Sequence, residues 1–300
     1  MNTQQLRQKV LDLAIHGKLV AQNPNEEPAS ALLERIKAEK ERLVKEKKIK
    51  KKDLQNTPIE DINKPFEIPN NWEWVHLTDI GELNRGKSKH RPRNDQSLFE
   101  GGTIPFVQTG DVARSDKFIL STYSFYNEKG LNQSRLWPKG TICLTIAANI
   151  GDVAMLDFDA CFPDSVVGFN GFQNISENSY VMYSLKWYKN LLDDLSRATA
   201  QKNINLEILS NIPFPLPPLE EQKRIVAEIE KWMHLIDIIE ENQNGLNDNI
   251  EKAKAKILDL AVHGKLGVTS LTMWQKFYSY SPHLDKIDYF CGCYVTDGSI

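Results

Sequence analysis

The sequence predicts a mixed α/β (α+β) domain bracketed by helices, one of which is patterned to form a coiled coil. Three observations carry that expectation. Short β-rich runs punctuated by Gly, Asn and Asp fill the middle of the 300-residue chain. A sustained heptad pattern follows them. One helical stretch also occurs twice, as KVLDLAIHGKL at 9–19 and KILDLAVHGKL at 256–266, with nine of eleven positions identical. Copies so far apart are not a solenoid, whose repeats recur every ~20–50 residues.

The elements follow in order. Leu6, Val10 and Leu13 lie at helical spacing, and Gly17 then offers a stop. AQNPNEEP is a turn-rich linker. The charged run from Pro28 to Asp53 predicts a second helix with Leu32, Leu33, Ile36, Leu43 and Val44 on its apolar stripe. These helices make a first segment, 1–56. From Thr57 the texture changes to Pro, Trp and β-branched residues, and residues 57–218 form the mixed domain. WVHLTDI, GTIPFVQTGDVA, KGTICLTIAANIGDVAML and DSVVGFNGF read as strands between turns, and SYVMYSLKWYKNLLDDLSRAT reads as one helix.

The proline cluster IPFPLPP holds the backbone extended, so the next helix starts only after it. Glu220 and Glu221 occupy the first turn, where the helix dipole favours carboxylates. Apolar residues then alternate in steps of four and three through Ile225, Ile229, Trp232, Ile236, Ile239, Leu246, Ile250, Ala253, Ile257 and Leu260, with Gln243 interrupting between Ile239 and Leu246. That is an a/d seam over residues 219–266, a rod on the order of 60 Å that needs a partner helix. Val10 and Leu13 correspond in the repeat to Ile257 and Leu260, so the first copy predicts a second piece of the same seam.

Composition excludes several classes. Hydrophobic residues make up 41% and charged residues 26% of the chain. No run approaches 18 apolar residues, and MNTQQLRQKV lacks the apolar core of a signal peptide; the expected location is the cytoplasm, with no membrane contact. Cys143, Cys161, Cys291 and Cys293 show no paired CxxC spacing and read as reduced thiols. The net charge of −3 is segregated: Glu34–Asp53 carries ten bases against five acids, and Glu220–Asp259 carries ten acids against six bases.

GELNRGKS at 81–88 satisfies the phosphate-binding expression G-x-x-x-x-G-K-[ST]. That chemistry needs a helix immediately after, whose free amides hold phosphate. KHRPRND follows instead, with Pro92 five residues past Lys87. The same residues form a basic loop, with Arg85, Lys87, Lys89, Arg91 and Arg93 and no acid, suited to DNA phosphates or guanine edges. ATAQKNIN at 198–205 adds Gln201, Lys202 and Asn203 as a second polar patch able to meet adenine edges. No histidine pairs with a carboxylate at metal-ligand spacing, and no nuclease or methyl-donor motif is present; neither a metal nor a cofactor is expected.

PLPPLEEQKRIVAEIE strongly resembles the hallmark conserved region of type I restriction–modification specificity subunits. IPNNWEWVHL at 68–77, IPFVQTGDV at 104–112, KGTICLTIAANIGDVA at 139–154 and ATAQKNINLEILSNIPFPLPP at 198–218 resemble that family's target recognition domain. The resemblance covers residues 1–266. It implies a non-catalytic subunit that binds double-stranded DNA, with Gln108 and Thr109 joining the basic loop as contacts, and that docks methyltransferase and restriction subunits. Family members carry two recognition domains separated by antiparallel long helices. This chain resembles a half-length form, which implies self-association through the long helix, or else a seam covered by methyltransferase helices. After Leu266 the two copies diverge, and the segment 267–300 reads as an out-of-frame or disordered tail.

Overall fold

The computed structural model describes residues 2–47, 59, 64–90, 92–172, 178–198, 204–263 and 265. They fall into two units, Met1–Asp237 and Ile238–Ile300.

The first unit opens with α1 (Thr3–Ile15), whose start is capped by the Asn2 side chain accepting the Gln5 amide. It buries Val10, Leu11, Ala14 and Ile15 and ends at Gly17 in the left-handed conformation, φ +66°. The helix α2 (Ala29–Lys45) buries Leu32 and Ile36 from the predicted stripe. Its Lys40 is also covered, with the ammonium donating to the Thr78 carbonyl at 3.3 Å.

WVHLTDI divides. β1 (Glu73–Val75) is a strand, but His76 and Asp79 then form a capping box that starts α3 (Leu77–Ile80). The Asp79 carboxylate accepts the His76 amide at 2.9 Å, which outweighs the strand propensity of the run. β2 (Gly81–Arg85) follows directly. GTIPFVQTGDVA divides for the same reason: β3 (Ile104–Pro105) is short, and Gln108 and Asp111 cap α4 (Thr109–Arg114).

β4 (Phe118–Ile119), β5 (Phe125–Tyr126) and α5 (Glu128–Asn132) lead into a hairpin of β6 (Ile142–Thr145) and β7 (Val153–Leu156). β8 (Val166–Gly171) completes a sheet in the order β2-β8-β6-β7-β4, antiparallel except at β7–β4. β6 and β7 are buried throughout, so they read as continuous apolar runs rather than alternating ones.

The run 179–199 is not one helix. α6 (Asn178–Trp187) and α7 (Lys189–Ala198) break around Tyr188, whose buried ring sends its hydroxyl to the Pro213 carbonyl. After α8 (Leu206–Asn211), β9 (Phe214–Leu216) pairs antiparallel with β1, Glu73 opposite Leu216. The pairing fastens the domain's first strand to the segment that leads into α9 (Leu219–Val262). Glu221 in the first turn is fully covered and accepts from the Gln22 amide at 2.5 Å. Burial raises its pKa against the bonds from Trp72, Gln22 and Asn71.

The predicted seam therefore serves two purposes. Ile225, Ile229 and Ile236 belong to the chain's own core, together with Val10 and the face of α6. Trp232 is exposed, Ile239 and Leu260 are half-buried, and Leu246, Ile250 and Ile257 are exposed. Leu13 is half-buried, so the covered face of α1 is Val10–Leu11–Ala14–Ile15 rather than the Val10–Leu13 line. Among the described residues no helix is long and apolar enough to cross a membrane. Cys143 and Cys161 are buried free thiols; Cys291, Cys293 and the whole segment 267–300 lie outside the described residues.

Candidate nucleic-acid interface

Gly81–Arg85 is a strand paired along its whole length with β8, so GELNRGKS has no loop in which to cradle a nucleotide. The chain leaves the sheet only at Gly86. There the Gly86 amide donates to the Val166 carbonyl at 2.9 Å and the Lys87 amide to the Phe162 carbonyl at 3.1 Å. A Cβ on residue 86 would meet the Phe162 and Pro163 carbonyl oxygens at 2.3 and 2.4 Å, so this glycine permits close backbone approach.

The basic segment that follows is fastened from its other side. Gln133 Oε1 accepts the amides of Lys89 at 2.6 Å and His90 at 3.0 Å. The Ser134 hydroxyl donates to the Lys87 carbonyl at 2.7 Å. His90 Nε2 lies 2.6 Å from Asp95 Oδ2, and Arg93 pairs with Asp164 at 2.6 Å. The Ser97 amide, then its hydroxyl and His90, hold the Asp95 carboxyl down at about 2. Backbone and acidic partners thus fix the loop while the Lys87 and Lys89 side chains stay exposed.

A stacked support lies beneath. Arg135 forms a bidentate pair with Glu82 at 2.7 and 2.8 Å, and its guanidinium sits 3.9 Å from the centre of the Trp137 ring. Trp137 is fully buried and stacks on Phe162 at 5.0 Å, and Phe162 is the residue whose carbonyl anchors Lys87. Burial opposes ionisation of Glu82, but the bonds from Arg135 and Asn84 outweigh it and hold the carboxyl below its usual range.

Among the described residues, two of the predicted contacts, Lys87 and Gln108, lie on this frame. Cys161 and Phe162 offer successive carbonyls, one to the Val107 amide at 2.8 Å and the other to Lys87, so Gln108 and the basic loop flank the same strip. Gln108 is exposed, with its amide donating to the Ser124 hydroxyl at 2.8 Å, and Thr109 is half-buried at the start of α4. Arg85 donates to the Ile204 carbonyl at 3.3 Å, which brings the end of the 198–205 patch beside β2. Arg91, Gln201, Lys202 and Asn203 lie outside the described residues.

Sequence reasoning missed the residues that shape the loop, above all Gln133 and Ser134. Both lie in a polar run between α5 and β6 with no motif to mark them. It also missed Leu120 and Tyr123, which stand 72% and 87% exposed beside Ser124, with Arg114 over the Tyr123 ring at 5.7 Å. Gln133→Ala removes the acceptor of two loop amides. Hydrogen exchange at Lys89 and His90 is expected to accelerate by about tenfold, with the melting temperature nearly unchanged. Unchanged exchange at both amides would show that Gln133 does not hold the loop.

A family model described as the type I restriction modification DNA specificity domain matches residues 69–248. The specificity subunits of the Escherichia coli type I restriction enzymes EcoAI and EcoEI are 34% and 33% identical over 260 and 257 residues, in each case 79% of this chain. The chain spans 40% of the length of either relative. A solved chain described under complex assembly and conformational transition of the type I R-M system matches with TM-score 0.57 at 22% identity, over 79% of this chain and 57% of that one. The HsdS subunit from Thermoanaerobacter tengcongensis matches with TM-score 0.51 at 21% identity, over 79% of this chain and 56% of its own. At these identities the two structures show a shared fold.

Proposed function

This chain belongs to the type I restriction–modification DNA specificity family, and from that premise we propose that it recognises one half of a two-part DNA target. It is the non-catalytic subunit of its complex. Methyltransferase subunits dock on it and a restriction subunit joins them, so that sequence choice lies here and the chemistry lies with those partners. Two copies associate through the exposed part of the α9 seam and place two recognition domains on a symmetric target in the cytoplasm. Neither a metal nor a cofactor enters its own role.

The observation that carries this reading is the fastened basic loop. A loop whose backbone is held by Gln133, Ser134, Phe162 and Val166 presents Lys87 and Lys89 at little further entropic cost, which is what a preorganised contact to phosphate or base edges requires. The pairing of Gly81–Arg85 with β8 argues against the nucleotide-binding alternative, and a bare coiled-coil adaptor would leave this loop without a purpose.

Salt titration of DNA binding tests the reading. K87A/K89A is expected to weaken binding to all sequences and to flatten the slope of log affinity against log salt by about two units, near −0.9 for each lost phosphate contact. If one base position relaxes instead, these lysines read that base. Affinity and slope both unchanged would remove the loop from the interface.

A further inference from the structure

The repeated segment has one copy docked and one copy free. In the first, Leu11 is 6% and Ile15 1% exposed, and Ala14 is likewise buried. His16 packs on the Phe66 ring with centroids 4.0 Å apart and on the edge of Trp187 at 5.9 Å. Gly17, in its left-handed conformation, lies against Pro69 and Trp72. Phe66, Trp74 and Trp187 meet edge to face, so the copy at 9–19 sits in an aromatic notch of the recognition domain.

Over its described residues, 256–263 and 265, the second copy repeats the local hydrogen bonds of the first. His16 Nδ1 lies 2.7 Å from the Asp12 carbonyl, and His263 Nδ1 lies 2.8 Å from that of Asp259. The Lys18 amide closes on the Leu13 carbonyl at 2.8 Å, and the Lys265 amide on that of Leu260 at 2.8 Å. Yet Leu258 and Val262, the counterparts of Leu11 and Ile15, are 66% and 76% exposed. The second copy is therefore preformed, with its docking face turned to water.

We propose that this face docks in trans: the copy at 256–266 occupies, on a second copy of the chain, the aromatic notch that residues 9–19 occupy on their own. The inference rests on the self-association proposed above. The occupant is specified by the duplication itself, because the only two differences, Val10 against Ile257 and Ile15 against Val262, conserve the summed side-chain volume. One notch holds one copy, so docking in trans is a reciprocal exchange. Both segments are tethered within the dimer, and exchange of identical elements is a low-cost route between forms.

Hydrogen exchange of the full chain, followed across the concentrations at which sedimentation shows the dimer forming, reads this directly. Exchange makes amide protection move in opposite directions, falling in residues 10–16 and rising in 256–263, by at least about threefold each. L258D/V262D, placed on exposed positions, is expected to leave the fold intact and abolish both changes. A dimer in which 256–263 gain protection while 10–16 keep theirs overturns the exchange and leaves the proposed self-association standing. A monomer at every concentration overturns both.

Discussion

Replacing Leu246 and Ile250 together by Asp is expected to weaken self-association by at least ~100-fold, because each burial in a helix–helix seam contributes about 1.5–3 kcal/mol and a carboxylate there adds a desolvation cost. Both side chains are exposed on α9, at 61% and 42%. The thermal unfolding of residues 1–237 is therefore expected to stay within ~0.5 kcal/mol of the parent chain. Sedimentation across a concentration series checks the first expectation and melting the second. The same substitution at Ile225 or Ile229 is expected to behave oppositely. Those residues are 1% exposed within the core, so Asp there unfolds the domain rather than separating a dimer.

The second large effect falls beneath the basic loop. Trp137→Ala is expected to cost about 3–5 kcal/mol, a drop in melting temperature on the order of 10 °C. The indole fills the space between Phe162 and the Arg135–Glu82 pair, and its loss opens a cavity that backbone anchored on two sides cannot close. Since Phe162 also anchors Lys87, DNA affinity is expected to fall with stability. Tyr123→Ala, 87% exposed on the neighbouring loop, is expected to leave the melting temperature unchanged. Calorimetry on the two variants separates a buried support from a surface aromatic.

Much of the architecture was legible because it rests on local rules. The proline cluster before α9, the acidic first turn and the apolar runs of β6 and β7 each state their structure in a few residues. The failures have one physical source, the competition of tertiary or capping contacts with propensity. Gln108–Asp111 and His76–Asp79 turned expected strands into short helices, and the expected single helix is divided at Tyr188, whose hydroxyl donates to the Pro213 carbonyl. The basic loop was legible as charge, but its fastening was not. Gln133 and Ser134 act across some 45 residues of sequence, and nothing in NQSRLW announces which carbonyl or amide they will meet. The heptads were legible as a seam, yet periodicity alone does not say which turns face the chain's own domain and which face outward. Only burial separates Ile225, Ile229 and Ile236 from Leu246, Ile250 and Ile257.

The most direct test of the central claim is co-expression of this chain with a methyltransferase subunit of its own complex, followed by mapping of methylated adenines across the host DNA. The account predicts a two-part target whose halves are related by two-fold symmetry, abolished by L246D/I250D and weakened by K87A/K89A. Methylation at a single contiguous site, or a pattern unchanged when this chain is withheld, would contradict it.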